Sequence, residues 1–156
     1  MIADAQQIVP SIFLRVEGEV RGKDRPRFDP RTRRPYTTQR TESAETNIRS
    51  VWREQGGKRL PDGPARIVVT LGVVRPKGHF KRNGELSAEG RRHVMPSRKK
   101  PDVDNALKLA MDALNGLAYA DDVQIVDARV VRQWSALPVT VIALDTLVQE
   151  AAGVAA

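Results

Sequence analysis

Pro101-Asp102-Val103-Asp104-Asn105-Ala106-Leu107-Lys108-Leu109-Ala110-Met111-Asp112-Ala113-Leu114-Asn115-Gly116 is followed, after Leu117-Ala118-Tyr119-Ala120, by Asp121-Asp122-Val123-Gln124-Ile125-Val126. Pro101 biases the residue before it towards an extended conformation. Apolar side chains then recur at helical spacing, and Gly116 is placed to stop the helix. The spacing predicts a helix over 105–115, with Asp104 as its N-cap. Leu107, Ala110, Met111 and Leu114, at i, i+3, i+4 and i+7, are its expected buried face. The run after Asp122 predicts a strand over 124–134.

Outward from this helix–strand unit the pattern continues in both directions. Residues 139–144 read as a further strand, joined to the previous one across Ser135-Ala136-Leu137-Pro138, and residues 146–156 as a short helix or a fraying end. Residues 67–74 are β-branched and almost continuously apolar, as expected of a strand buried on both faces. Ala44, Ile48, Val51, Trp52 and Gln55 fall at helical spacing, with Thr41 or Ser43 as cap and Gly56-Gly57 as stop. Ile12, Leu14, Val16 and Val20 fall on one side of a first strand. The order is β-α-β-α-β-β. It predicts an α+β fold, a mixed β-sheet with helices packed against it, as a single domain over 1–156. A chain of 156 residues and 17.3 kDa suits one domain and not two.

Charge is segregated along the chain. Residues 21–60 hold 12 basic and 5 acidic side chains, and residues 75–100 hold 9 and 2. Residues 101–127 hold six aspartates against the single basic Lys108. The formal net charge is +7. Basic loops near 21–40 and 76–101, rich in proline and glycine, suit a polyanion, because each neutralised phosphate releases a counterion. The chain has no cysteine and two histidines, His79 and His93. That excludes a disulfide scaffold and a thiolate metal site, and argues against a multi-histidine zinc site. No apolar run reaches the length of a membrane span, and the N-terminus lacks the basic-then-apolar order of a signal peptide. A cytoplasmic protein is expected.

Taken singly, the aspartates have ordinary explanations: a cap at Asp102 or Asp104, a turn at Asp121-Asp122, a surface pair at Lys108 and Asp112. Taken together they suit hard cations. Mg²⁺ is held through one or two carboxylates, waters and substrate phosphate, and such ions promote phosphodiester hydrolysis. A calcium loop counted from Asp102 fails, because Leu107 stands where its turn glycine belongs and Ala113 where its glutamate belongs. Lys108 lies one turn above the carboxylates, within reach of them or of a phosphate oxygen.

At these residues the chain resembles the RusA family of Holliday junction resolvases, endonucleases of bacterial and phage or prophage origin. The matching run is Pro101-Asp102-Val103-Asp104-Asn105, Lys108, Asp112-Ala113-Leu114-Asn115-Gly116 and Asp121-Asp122-Val123-Gln124-Ile125-Val126, with Arg25-Pro26-Arg27-Phe28 similar to a basic loop upstream. The resemblance implies a homodimer that binds four-way DNA junctions and nicks two strands symmetrically with Mg²⁺, or Mn²⁺ in its place. By motif position, Asp102, Asp104 and Asp122 are the implied metal-binding and catalytic carboxylates, Lys108 the catalytic lysine, and Asp121 a possible auxiliary. The loop over 76–100 is longer and more basic than in compact members.

The expected mechanism is hydrolysis by a metal-activated water without a covalent intermediate, with Lys108 stabilising developing charge. Arg25, Arg27, Lys99 and Lys100 are expected to bind flanking phosphates. Tyr36 and Phe28 either stack on bases near a branch point or anchor their loop. Three rival readings remain at this point. One is a nuclease for flaps, forks or other branched DNA; another is a ribonuclease. The third is a non-catalytic nucleic-acid-binding protein whose aspartates are structural. Candidate dimer surfaces are the helix around Trp52 and the C-terminal segment, each of which has core packing as its simpler explanation.

Overall fold

The computed structural model describes residues 6–8, 12–97 and 100–149. Its elements are β1 (Gln6–Ile8), β2 (Ile12–Glu17), β3 (Arg27–Phe28), β4 (Pro35–Tyr36), α1 (Gln39–Glu54), β5 (Ala65–Val74), α2 (Ala88–Arg92), α3 (Val103–Leu114), β6 (Ile125–Ser135) and β7 (Val139–Gln149). Short 3₁₀ turns occur at Lys77–His79 and Asp122–Gln124. The long elements follow the predicted order, and the class is α+β. In the main sheet β6 pairs parallel with β5, and β5 pairs antiparallel with β7. The far edge of β7 carries β2 and, towards its end, β1. The basic loop before α1 is pinched into a two-stranded hairpin, β3–β4.

A parallel pair cannot be joined by a tight turn. The chain therefore leaves β5, crosses one face of the sheet as α3, and returns as β6. On that face Ile67, Val69, Leu71, Leu14, Ile142 and Leu144 are buried against Ile48 and Trp52 of α1 and the apolar stripe of α3. The stripe differs from the predicted one. Ala106, Leu109, Ala110, Ala113 and Leu114 are buried, whereas Leu107 and Met111 lie at its partly exposed margin. Three alanines let α3 approach α1 and the sheet closely, so the small residues and not the largest define the contact.

Other boundaries also depart from the sequence reading. Thr38, not Thr41 or Ser43, caps α1 by accepting from Thr41 N at 3.3 Å. Thr41 is buried, and its hydroxyl accepts instead from Asp24 N at 3.1 Å, tying the basic loop to the helix. Asp102, not Asp104, is the N-cap residue of α3. Residues 146–149 extend β7 instead of starting a helix, because β1 pairs with them and Ala65 pairs with Thr146. The tail beyond 149 lies outside the described residues. Trp52 belongs to the core, which removes its helix face as a dimer surface.

The connection from β6 to β7 passes β5, which lies between them. Gly72 sits beneath it: a Cβ there would lie 2.6 Å from Val139 Cγ1 and 2.9 Å from Ser135 Cβ. Both neighbours belong to the ends of the crossing connection, so neither has room to give. Gly72→Ala is expected to destabilise the fold by about 1–3 kcal/mol, measured by urea unfolding. An unchanged midpoint would show that the crossing is looser than its packing implies.

Candidate active site and nucleic-acid interface

Asp102 ends the extended segment before α3, and Asp104 sits in the helix's first turn. Helix N-termini favour carboxylates through their unpaired N–H groups. Even so, the Asp102 side chain makes no capping hydrogen bond. Asp102, Asp104 and Lys108 are all exposed. Among the described residues, none forms a side-chain hydrogen bond or ion pair with these three. Their charged ends are open to a ligand.

The segment before the β3–β4 hairpin lies along this end of α3. Lys23 N donates to Asn105 O at 2.9 Å. Gly22 makes that approach possible, since a Cβ would meet Pro101 Cβ at 2.7 Å and Asn105 Cβ at 3.1 Å. A cleft of about 250 Å³ opens there, with Arg21, Lys23, Arg40 and Lys100 gathered around Asp102. It adjoins a second hollow of about 580 Å³, lined by Arg25, Arg27, Tyr36, Thr38 and Arg40. Arg40 and Asp24 belong to both, so basic side chains continue from the α3 carboxylates to the hairpin. On that hairpin Phe28 and Tyr36 are exposed. The structure thus brings Arg25, Arg27 and Lys100 to one surface with Asp102; Lys99 lies outside the described residues.

Asp112 has a different role from its neighbours. Lys23 Nζ donates to the Asp112 carboxylate and lies 3.6 Å from Glu45 Oε1. The hydrogen bond to Asp112 is the main cause of a raised Lys23 pKa. Asp112 is thereby neutralised by the basic loop, not by Lys108, and serves to fasten that loop to α3. Nothing in the periodicity of α3 marks this contact; the only sequence signal is that Lys23 belongs to the basic run. Arg21 and Arg40 were likewise visible only as members of that run.

Asp121 and Asp122 follow the other end of α3. The helix between them and Asp102 has 12 residues and rises about 18 Å. Asp121 Oδ1 accepts from Val123 N at 3.1 Å, which holds its carboxyl below the usual range. Asp122 is pushed the other way, first by its hydrogen bond with Asp121, then by its own desolvation and the charges of Asp121 and Asp112. The two carboxyls compete for one proton, a position that a cation can take. Beside them Tyr119 is buried, with its hydroxyl donating to Met111 O at 2.7 Å. Burial and the nearby Asp122 and Asp112 charges keep that phenol protonated. Gln124 braces the turn by accepting from Ala120 N at 2.7 Å and donating to Gly63 O at 3.0 Å.

The structure therefore holds the candidate carboxylates as two pairs, Asp102 with Asp104 and Asp121 with Asp122. Among the described residues, no group of three or more Asp, Glu, His or Cys side chains is arranged as a metal centre. The donors fit a hard cation all the same. Each pair offers carboxylate oxygens to solvent, and Mg²⁺ completes its shell with waters and phosphate. The ridge Asp104, Lys108, Asp112 runs along α3 from one pair towards the other, as i,i+4 spacing requires.

The model of the RusA endodeoxyribonuclease family matches residues 17–145. The chain is also 37% identical, over 78 residues, to the uncharacterized protein YqaN of Bacillus subtilis (strain 168). That stretch is 49% of this chain and 53% of the relative, so the chain spans about half the length of that curated protein. The family match takes in α1, β5, α3 and β6, together with both carboxylate pairs and the basic surface beside them. On this match the chain belongs to the RusA family of endodeoxyribonucleases.

Proposed function

We propose that the protein is a Mg²⁺-dependent, structure-specific DNA endonuclease that resolves four-way junctions by paired symmetric nicks. The observation that carries this reading is the open set of Asp102, Asp104 and Lys108 at the start of α3, with Asp102 lining a cleft together with Arg21, Arg40 and Lys100. Carboxylates exposed beside cations would repel DNA on their own, and a divalent ion between them and a phosphate reverses that repulsion. Asp102 and Asp104 are the proposed ligands of the ion beside Lys108, and Asp122, with Asp121 as auxiliary, those of a second ion after the far end of α3, with Mn²⁺ able to substitute. When bound, the ion activates a water and neutralises charge on the scissile phosphate. Lys108 donates to a phosphate oxygen and stabilises the charge that develops there. Arg25, Arg27, Lys99 and Lys100 hold the flanking backbone, which positions the DNA without reading its sequence.

A homodimer belongs to the same proposal, because two strands of a two-fold symmetric junction call for two equivalent sites. The sheet face opposite the helices supports it. Strand alternation places Phe13, Val68, Val131 and Val141 there; Phe13 is 66% and Val131 41% exposed. The charges on this face are already matched, Arg15 to Glu17 at 3.2 Å and Arg66 and Arg129 to Asp127 at 2.7 and 3.3 Å. A partly apolar face whose charges are paired among themselves, on a chain of net charge +7, suits a second copy better than DNA. Among the described residues no helix is long and apolar enough to cross a membrane. A cytoplasmic place in a bacterial host, with a phage or prophage gene as source, completes the reading.

With a labelled four-way junction, and duplex, flap and RNA controls, paired nicks are expected in Mg²⁺ and none in EDTA. Asp102→Asn, Asp104→Asn and Asp122→Asn are each expected to lower cleavage by about a hundredfold or more while junction binding persists. Lys108→Met is expected to lose about a hundredfold. Binding without cleavage in either Mg²⁺ or Mn²⁺ would leave a structural binder, and preferential cutting of flaps or RNA would reassign the substrate.

Val131→Lys tests the dimer. Its side chain is already half-exposed, so folding is expected to survive. Sedimentation is expected to shift from dimer to monomer, and paired nicks to single ones. A wild-type monomer at micromolar concentration on junction DNA would remove the dimer from the reading.

A further inference from the structure

A third hollow, of about 510 Å³, lies where the parallel strands β5 and β6 end. Its walls are Val74, Arg75, Phe80, Leu86, Trp134 and Ser135. The volume falls within the roughly 300–1,000 Å³ of sites that take small aromatic ligands. The segment over 75–97 supplies Arg75, Phe80 and Leu86 to it, and the carboxylate chemistry makes no use of this segment.

Two walls are aromatic, and one is fixed firmly. Trp134 Nε1 donates to His93 O at 2.8 Å. The Arg75 guanidinium lies 4.9 Å from the centre of the same indole and donates to Gly90 O at 2.8 Å and His93 O at 3.2 Å. His79 meets the indole edge-on at 5.4 Å and stacks on His93 at 5.1 Å. Phe80 and Leu86 form an antiparallel bridge, and both line the same hollow. Phe80 is 42% exposed. A partly exposed phenyl ring that shares a hollow with a locked indole–guanidinium pair is suited to a flat aromatic guest.

The surroundings say which guest. Residues 75–97 hold six basic and two acidic side chains. Lys81 is matched by Glu85 and Arg92 by Glu89, while Lys77 and Arg82 are exposed on the same segment, within three residues of Phe80 in sequence. Aromatic walls carried on a basic segment are the combination that holds single-stranded nucleic acid: the cations take phosphates and the rings take bases. The hollow also lies beside the carboxylates. Trp134 follows Arg132 by two residues and shares its face of β6, and Arg132 Nη2 donates to Pro101 O, next to Asp102.

We propose that the hollow between Phe80, Leu86 and the Arg75–Trp134 pair is a stacking site for an unpaired nucleobase of the DNA substrate. It rests on the reading of the protein as a nuclease for branched DNA and adds to it where an unstacked base near the branch is held. Phosphate contacts alone do not distinguish a branch from duplex; a pocket that only an unpaired base can enter does.

The test uses the full chain in EDTA, so that nothing is cut, with junctions carrying 2-aminopurine at the branch or within an arm. Wild-type protein is expected to quench the branch probe and not the arm probe. Phe80→Ala is expected to abolish that quenching and weaken junction binding about tenfold. Duplex binding and the melting temperature should stay unchanged, and Phe80→Trp should restore the quenching. Unchanged quenching and affinity in Phe80→Ala would overturn the stacking site while leaving the nuclease reading intact. An equal loss on duplex, or a change in oligomeric state on sedimentation, would overturn it in favour of a backbone contact or a protein interface. Wild-type protein that binds no DNA form would overturn both readings together.

Discussion

The parallel pairing of β5 with β6 constrains nearly everything else in the molecule. Two parallel neighbours require a return path across one face of the sheet, and α3 is that path. The crossing decides where the functional side chains stand. The start of α3 lies at the ends of β5 and β6, so Asp102 and Asp104 share that region with the segment that follows β5. The end of α3 lies where β6 begins, so Asp121 and Asp122 are delivered there. The close packing of the helix on α1 and the sheet, through Ala106, Ala110 and Ala113, then holds both positions rigidly.

Electrostatics are organised around the same helix. A chain of net charge +7 gathers six of its eleven aspartates over residues 101–127, and most of its arginines and lysines over 21–60 and 75–100. Asp112 is spent on Lys23, which fastens the first basic segment to α3. Asp127 is spent on Arg66 and Arg129 across the strands. The carboxylates at the two ends of the helix are left without such partners among the described basic residues. That contrast separates structural aspartates from candidate catalytic ones more sharply than spacing does.

Much of this was legible in the sequence because the long elements announce themselves by period. Residues 67–74 and 139–144 are apolar runs that only strands accommodate, and the helix ending at Gly116 carries its stop signal. The candidate carboxylates were legible because their residue types and spacing recur as a motif. Details set by tertiary packing were not legible. Alanine carries little hydrophobic weight in a periodicity argument, so the buried stripe of α3 was placed one residue off. Three threonine and serine candidates compete for the cap of α1, and the contact of Thr41 with Asp24 N, remote in sequence, decides among them. The extension of β7 past residue 145 depends on partners at the other end of the chain. The aromatic cluster around Trp134 joins residues from three separate segments, which no local pattern reveals.

The position of β7 carries a consequence for how the chain reaches its fold. The last strand among the described residues lies in the interior of the sheet and pairs with β5 on one side and β1 and β2 on the other. Its connection from β6 must pass β5 at Gly72, so β5 has to be in place first. Until β7 emerges from the ribosome, β2 has no sheet partner and the apolar inner sides of β2 and β5 lack their common neighbour. Domains whose early segments pair locally begin folding during synthesis; here the sheet closes only once β7 has been made. Before that point the nascent segment is basic and incompletely paired, and the sheet, with the helix ends that carry the candidate carboxylates, is completed in one step by β7.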